Sequence, residues 1–315
     1  MHTLELEIRT LHVERALDDA TASRAIALDR GEVFSLHTEL RLLMYAGVTL
    51  VTGGVGMILA RNLDRIGPLA IVLALALAAV ACGVPAVRSR LAGRSLSTAG
   101  EYLLLLGALL VSADLAYAEH AFELLGPLWS WHLLLLAVFH AVVAYAFGSS
   151  LVLAASLTAL AGWFGVGGGF NSAVFDWPSA PEFGSRALIC AAVIAAWRFA
   201  DRSRNPDTRF TDVFDHFAAN ISFVGSLAWC SRMPWLPAGL LLVAIMAAAA
   251  IWRGLRTGRE MFVVYGVVYG AIGICVAAVP RIGDGTTTAA FVLLVVCVAA
   301  ATLWQLRQRI RGPAQ

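Results

Sequence analysis

The chain has no lysine. All 23 basic residues are arginine, and against 21 acids they leave a net charge of only +2. That balance is too small to suggest a nucleic-acid partner, which needs a strongly basic face. Charge of either sign is scarce: 14% of the 315 residues are charged, where a soluble domain carries about a quarter. Cysteine is sparse and scattered. Cys82, Cys190, Cys230, Cys275 and Cys297 each lie inside an apolar run with no closely spaced partner, which excludes a metal-ligand pair and argues against structural disulfides. No phosphate-binding loop and no nucleophile motif is present, so an enzyme is the least favoured class and no cofactor is expected. Residues 1–41 lack the continuous apolar core of a secretory signal peptide, and none is expected there.

What fills the chain instead is apolar: 59% hydrophobic residues and a mean hydropathy of +0.77. A membrane helix needs about 17 to 25 mainly apolar residues, because only internal hydrogen bonding satisfies a backbone in lipid. Ten stretches meet or approach this length, near 42–60, 67–87, 102–119, 128–147, 149–166, 186–200, 216–232, 235–252, 261–279 and 288–306. The sixth is short and the fifth follows the fourth almost without a loop, so nine is the other possible count. The expected fold is therefore all-α, a polytopic transmembrane helical bundle of about ten spans over 42–306. A cytosolic amphipathic helical segment over 1–41 precedes it, and a cytosolic tail over 307–315 follows.

Arginine placement supports this arrangement, because cytoplasmic loops retain positive charge during insertion. With both termini in the cytoplasm, every arginine falls on the inner side except Arg61, Arg65, Arg186, Arg232 and Arg281. The expected location is the bacterial inner (cytoplasmic) membrane, multi-pass, with the lipid bilayer as surroundings. Ahead of the first span, Leu4, Ile8, Leu11, Val13 and Leu17 recur at helical spacing up to a stop at Gly31. These short amphipathic helices would lie on the membrane surface, pack under the bundle or dock a protein partner.

The order of these features resembles a known family. A short helical N-terminal region leads into "LRLLMYAGVTLVTGGVGMILARNLDRIGP", then a second apolar helix, then "YLLLLGALLVSADLAYAEHAFELLGPLWSW". This is similar to the bacterial predicted-membrane-protein family called domain of unknown function 2157, over about residues 10–165. The turn after the first span reads Ala60, Arg61, Asn62, Leu63, without the aromatic that such members typically carry. The resemblance implies a membrane protein but no activity, and no functional residue transfers from it.

Three polar constellations stand out from the apolar background. In the third span, Asp114 lies twelve residues past Tyr102, about 18 Å into the bilayer at helical rise. In the fourth, His132 and His140 lie about 22 Å and 10 Å above the inner edge, so the acid falls between them in depth. A polar line of His140, Asp114 and His132, opening outward to Glu119, His120 and Glu123, would suit proton or cation movement, since an acid and an imidazole can exchange protons near neutral pH. The other reading is one buried acid that fixes helix register, with the outer acids solvated at a helix end.

The second constellation is Asp212, His216 and Asn220, which repeat at i, i+4 and i+8 and so share one helix face at the inner rim of the seventh span. That stripe could hold a cation, or Asp212 and Asp215 could simply favour the helix N-terminus. The third is the Gly-rich loop from 162 to 186, whose Phe170, Phe175, Trp177 and Phe183 would settle at the membrane interface. Gly266, Gly270 and Gly273 in the ninth span and "AIMAAAAIW" in the eighth would let helices approach closely.

Two functions fit these observations. One is small-solute or proton/cation transport through a bundle carrying an intramembrane Asp/His line. The other is a membrane-embedded sensor or scaffold whose N-terminal helices dock a partner.

Overall fold

The structure is a computed structural model and describes residues 36–62, 67–123, 131–166, 180–204, 209–231 and 233–311. The expected amphipathic helices before residue 36, and Phe170, Phe175 and Trp177 of the Gly-rich loop, lie outside the described residues. Every regular element among the described residues is a helix. In chain order they are α1 (Leu36–Asn62), α2 (Pro68–Leu91), α3 (Thr98–Phe122), α4 (Trp131–Phe147) and α5 (Ser150–Trp163). They continue with α6 (Ala180–Arg204), α7 (Thr211–Cys230), α8 (Leu236–Thr257), α9 (Glu260–Ile282) and α10 (Gly285–Arg311).

Helix ends are set by recognisable chemistry. Ser97 Oγ accepts from the Gly100 amide at 3.1 Å to start α3, and Ser149 plays the same part for α5. Gly258 and Gly283, with φ of +67° and +58°, close α8 and α9 in the left-handed conformation that glycine adopts without steric cost. The helix expected over 186–200 runs from Ala180 to Arg204. Its polar ends, Pro181–Glu182 and the stretch after Trp197, continue the helix without continuing the apolar run. Phe183, expected on the outer loop, therefore sits inside α6 and is buried.

Six helices, α2, α3, α6, α8, α9 and α10, are long and apolar enough to cross a membrane. The shorter apolar helices include α4 and α5. With 14 residues, α5 spans about 21 Å, short of a hydrocarbon core of about 30 Å. Its depth is lateral instead: Val152, Leu153 and Leu157 are fully enclosed, because α5 packs on α3, α4, α6 and α7 together. The 20-residue α7 owes its lower hydropathy to Asp212, Asp215, His216 and Asn220.

Helix α1 falls in a compact unit of its own, with Leu42 and Leu50 about three-quarters exposed. The second unit holds α2 to α10. In it, α2 pairs with α3, α4 with α5, α6 with α7 and α8 with α9, and α10 lies against α9. Small residues set the closest approaches. A Cβ on Gly225 of α7 would come within 2.9 Å of the Gly184 carbonyl of α6, and one on Gly266 of α9 within 2.7 Å of the Ala247 carbonyl of α8. Within this unit, Arg90, Arg198, Arg209, Arg253, Arg259 and Arg307 gather at one end, as their contacts show. Arg90 covers Phe147, Arg209 meets Gly148, Arg198 and Arg253 share Asp215, and Arg307 bonds Glu260.

Candidate functional site: a polar ladder between α7 and α9

From the arginine-bearing end, α7 and α9 run in the same direction, with α8 returning between them. The face of α7 that carries Asp212, His216 and Asn220 meets α9, and each of the three finds a partner on that side. Asp212 pairs with Arg259, just ahead of α9, at 2.6 Å. His216 Nδ1 lies 3.1 Å from the Tyr265 hydroxyl. Tyr269 donates to Asn220 Oδ1 at 2.7 Å, and Asn220 Nδ2 donates to the His216 carbonyl at 2.7 Å. The spacing explains the order, since Tyr265 and Tyr269 repeat the same four-residue step that separates His216 from Asn220.

Aromatic rings wall the ladder. The His216 imidazole stacks on Phe262 with centroids 5.2 Å apart and planes within 7°, and Tyr265 meets it edge-on at 5.6 Å. Further along, Phe223 stacks on Tyr269 at 4.6 Å. Phe262 is itself buried and carries the Arg253 guanidinium on its ring at 5.3 Å. A cation, a ring and an imidazole therefore share one stack, an arrangement that the ring quadrupole favours.

Beside the first rung, Asp215 turns inward and is 6% exposed. Arg198 of α6 grips both of its oxygens, Nε to Oδ1 at 2.5 Å and Nη2 to Oδ2 at 3.3 Å. Arg253 of α8 bonds Oδ2 as well, and Arg259 stands 3.7 Å away. One carboxylate thus ties α6, α7 and α8 together with the loop that leads into α9. Three guanidiniums facing two carboxylates leave the rim with an excess of one positive charge. Among the described residues no three His, Cys, Asp or Glu side chains converge as a metal site would require.

The α3–α4 line is arranged differently from the order of depths in the sequence. His140 is buried, and its Nε2 lies 3.1 Å from both Ser112 Oγ and the Ala108 carbonyl of α3. Ser112 and Asp114 are two residues apart, about 200° around a helix, so the acid points away from His140. Asp114 shares instead the face of Gly107, seven residues earlier, which packs on Ala79 and Cys82 of α2. Two turns further along, that face opposes the apolar start of α2, and Asp114 Oδ1 is buried with no hydrogen-bond partner among the described residues. His132 is buried on α4 two turns before His140. Glu119 is partly buried, while His120 and Glu123 are exposed at the end of α3, where Glu123 adopts a left-handed cap with φ of 49°.

The sequence puts Asp212, His216 and Asn220 on one helix face but does not show what they meet: in it Arg198, Arg253 and Arg259 carry only topogenic charge, and Tyr265 and Tyr269 sit within an apolar run. The signal available was the matching four-residue step in "HFAAN" and "YGVVY".

A family model described as "Predicted membrane protein (DUF2157)" matches residues 10–153, in keeping with the resemblance noted in the sequence. The match ends in α5, and the polar ladder lies beyond it. No curated protein and no solved structure matches the chain.

Proposed function

We propose that this multi-pass membrane protein moves protons across a bacterial inner membrane, with His216 as the group that takes up and releases them. The observation that carries this reading is the imidazole at the centre of the ladder, bonded to Tyr265 Oη and stacked on Phe262. An imidazole can gain a proton on one ring nitrogen and lose it from the other, so it suits a relay through hydroxyl groups. Among the described residues no cluster of His, Cys, Asp and Glu could hold a metal ion, and the proton is the cargo that the imidazole chemistry itself supports. Arginines gathered at one end support placing that end, with both termini, in the cytoplasm. Asp114 offers a second acid for the same task, because its oxygen spends no hydrogen bond on holding the fold.

The alternative is a membrane-embedded sensor or scaffold whose N-terminal helices dock a partner. Reconstitution with a pH-sensitive dye trapped in the vesicles separates the two. Dissipation of an imposed pH gradient by the parent protein is expected to fall about tenfold in His216→Phe and less in Tyr265→Phe. Asp114→Leu reports independently on the α3 acid. A parent protein that dissipates no gradient, or a His216→Phe variant as fast as the parent, removes the proton reading and leaves the scaffold.

A further inference from the structure

The hydrogen-bond directions in the α7–α9 ladder follow from one group that has no choice. A backbone carbonyl can only accept, so the His216 carbonyl faces the amide nitrogen of Asn220, and Asn220 Oδ1 is left toward α9. An amide oxygen can only accept too, so the Tyr269 hydroxyl spends its single proton on Asn220, at 2.7 Å. At the first rung, the Tyr265 hydroxyl has no hydrogen-bond partner among the described residues other than His216 Nδ1, at 3.1 Å. A phenol is a stronger acid than a neutral imidazole N–H, and an imidazole nitrogen is a stronger base than a phenol oxygen. The hydroxyl therefore donates and Nδ1 accepts.

Both bonds point the same way, from α9 to α7, and helix geometry makes them depend on each other. Tyr265 and Tyr269 are as far apart in the chain as His216 and Asn220, a rise of about 6 Å on either helix. Tyr265 meets His216 and Tyr269 meets Asn220, in the order of a parallel pair. Fixing Tyr269 on Asn220 thus brings Tyr265 to the height of the imidazole. The stack on Phe262, with planes within 7°, holds the imidazole against rotation, and Phe223 holds the Tyr269 ring at 4.6 Å. A neutral imidazole whose Nδ1 accepts carries its own proton on Nε2.

We propose that Tyr269 and Asn220 are positioning residues for His216: they hold Tyr265 in register to donate to Nδ1, and so keep the neutral imidazole in its Nε2–H form. The functional meaning of this assignment rests on His216 being the group that carries protons. In that role an incoming proton bonds to Nδ1, the ring nitrogen with the free electron pair, and Tyr265 turns from donor to acceptor. Whichever ring proton is then lost, the Tyr265 bond restores the Nε2–H form.

The test is nitrogen magnetic resonance of the full chain in lipid bilayers, with isotope-labelled histidine incorporated and the His216 signals identified by their loss in His216→Phe. At alkaline pH, with the imidazole neutral, the parent should show Nε2 protonated and Nδ1 as a hydrogen-bonded acceptor. Tyr265→Phe removes the donor and should lower the ratio of Nε2–H to Nδ1–H forms about fivefold. Tyr269→Phe keeps the ring that stacks on Phe223 and removes no atom bonded to the imidazole, yet it should lower the same ratio about threefold. Asn220→Ala repeats the test if that variant fails to fold. Tyr145→Phe, which removes a hydroxyl from α4, should leave the His216 signals unchanged. A parent imidazole protonated on Nδ1, or the parent ratio kept in both Tyr269→Phe and Asn220→Ala, overturns the proposal. The spectra need no imposed gradient, so a protein that moves no protons loses the transport reading while the tautomer is still decided by its own signals.

Discussion

The two acids at the start of α7 sit three residues apart and have opposite fates, which makes them a controlled comparison. Asp215 is enclosed at 6% exposure among Arg198, Arg253 and Arg259, whereas Asp212 is 61% exposed with a single partner. Taking one member from a buried ion network leaves the other charges desolvated and costs about 3–5 kcal/mol, while an exposed pair is worth at most about 1 kcal/mol. Asp215→Asn should therefore lower the stability of the purified protein by about 3 kcal/mol, and Asp212→Asn by less than about 1 kcal/mol. Denaturant titration in detergent, followed by tryptophan fluorescence, measures both. At the far end of α9, Asp284 Oδ2 accepts from the Thr287 hydroxyl at 2.7 Å and from its amide at 2.8 Å, capping α10. The hydroxyl bond first, then the amide bond, holds this carboxyl below its ordinary range. A group lowered in this way stabilises the folded end while it is ionised, above its unfolded value, and loses that contribution as pH falls through its folded value. The protection of the Thr287 amide, its exchange relative to the intrinsic rate at the same pH, should thus be high at neutral pH and fall below the usual carboxylate range, whereas in Asp284→Ala it should be low at both.

At the level of helices, glycine does two jobs that the sequence cannot tell apart. At Gly225 the α6 backbone is so near that a Cβ would stand 2.9 Å from the Gly184 carbonyl and 3.0 Å from Leu188 Cγ. The Trp229 indole locks the same crossing by donating to the Pro181 carbonyl at 3.2 Å. At Gly270 a Cβ would meet only Ala247 Cβ, at an ordinary 3.7 Å. Overpacking costs about 1–3 kcal/mol, and relief of glycine's backbone freedom in a helix is worth about 0.5–1 kcal/mol. Gly225→Ala should accordingly destabilise the α6–α7 pair, and Gly270→Ala should be neutral or stabilising. Thermal unfolding of the two variants side by side reads the difference as a change of sign.

Across the whole molecule, what was legible in the sequence followed from repetition. Long apolar runs give helices because each such run satisfies its own backbone hydrogen bonds in lipid, and among the described residues ten helices stand near the ten runs. The stripe of Asp212, His216 and Asn220 was legible for the same reason, since a step of four puts side chains on one face. Partners were not legible. Nothing local connects Arg198 to Asp215, 17 residues on, or Tyr265 to His216, 49 residues back. Depth alone set Asp114 between His140 and His132, whereas the rotation of α3 turns it toward α2. Orientation is a property of the same scale, and the expectation for it rests on the arginines acting together. If their common end faces the cytoplasm, the turn at Gly258 lies inside and the turn at Asp284 outside, with α9 crossing between them. Single cysteines at these two turns, introduced into a chain whose five native cysteines are replaced, make the test. In intact cells a membrane-impermeant maleimide should label the Asp284 position and not the Gly258 position. Lysis should expose both. Labelling of the Gly258 position in intact cells would invert the bundle, and would place the gathered arginines on the outer side.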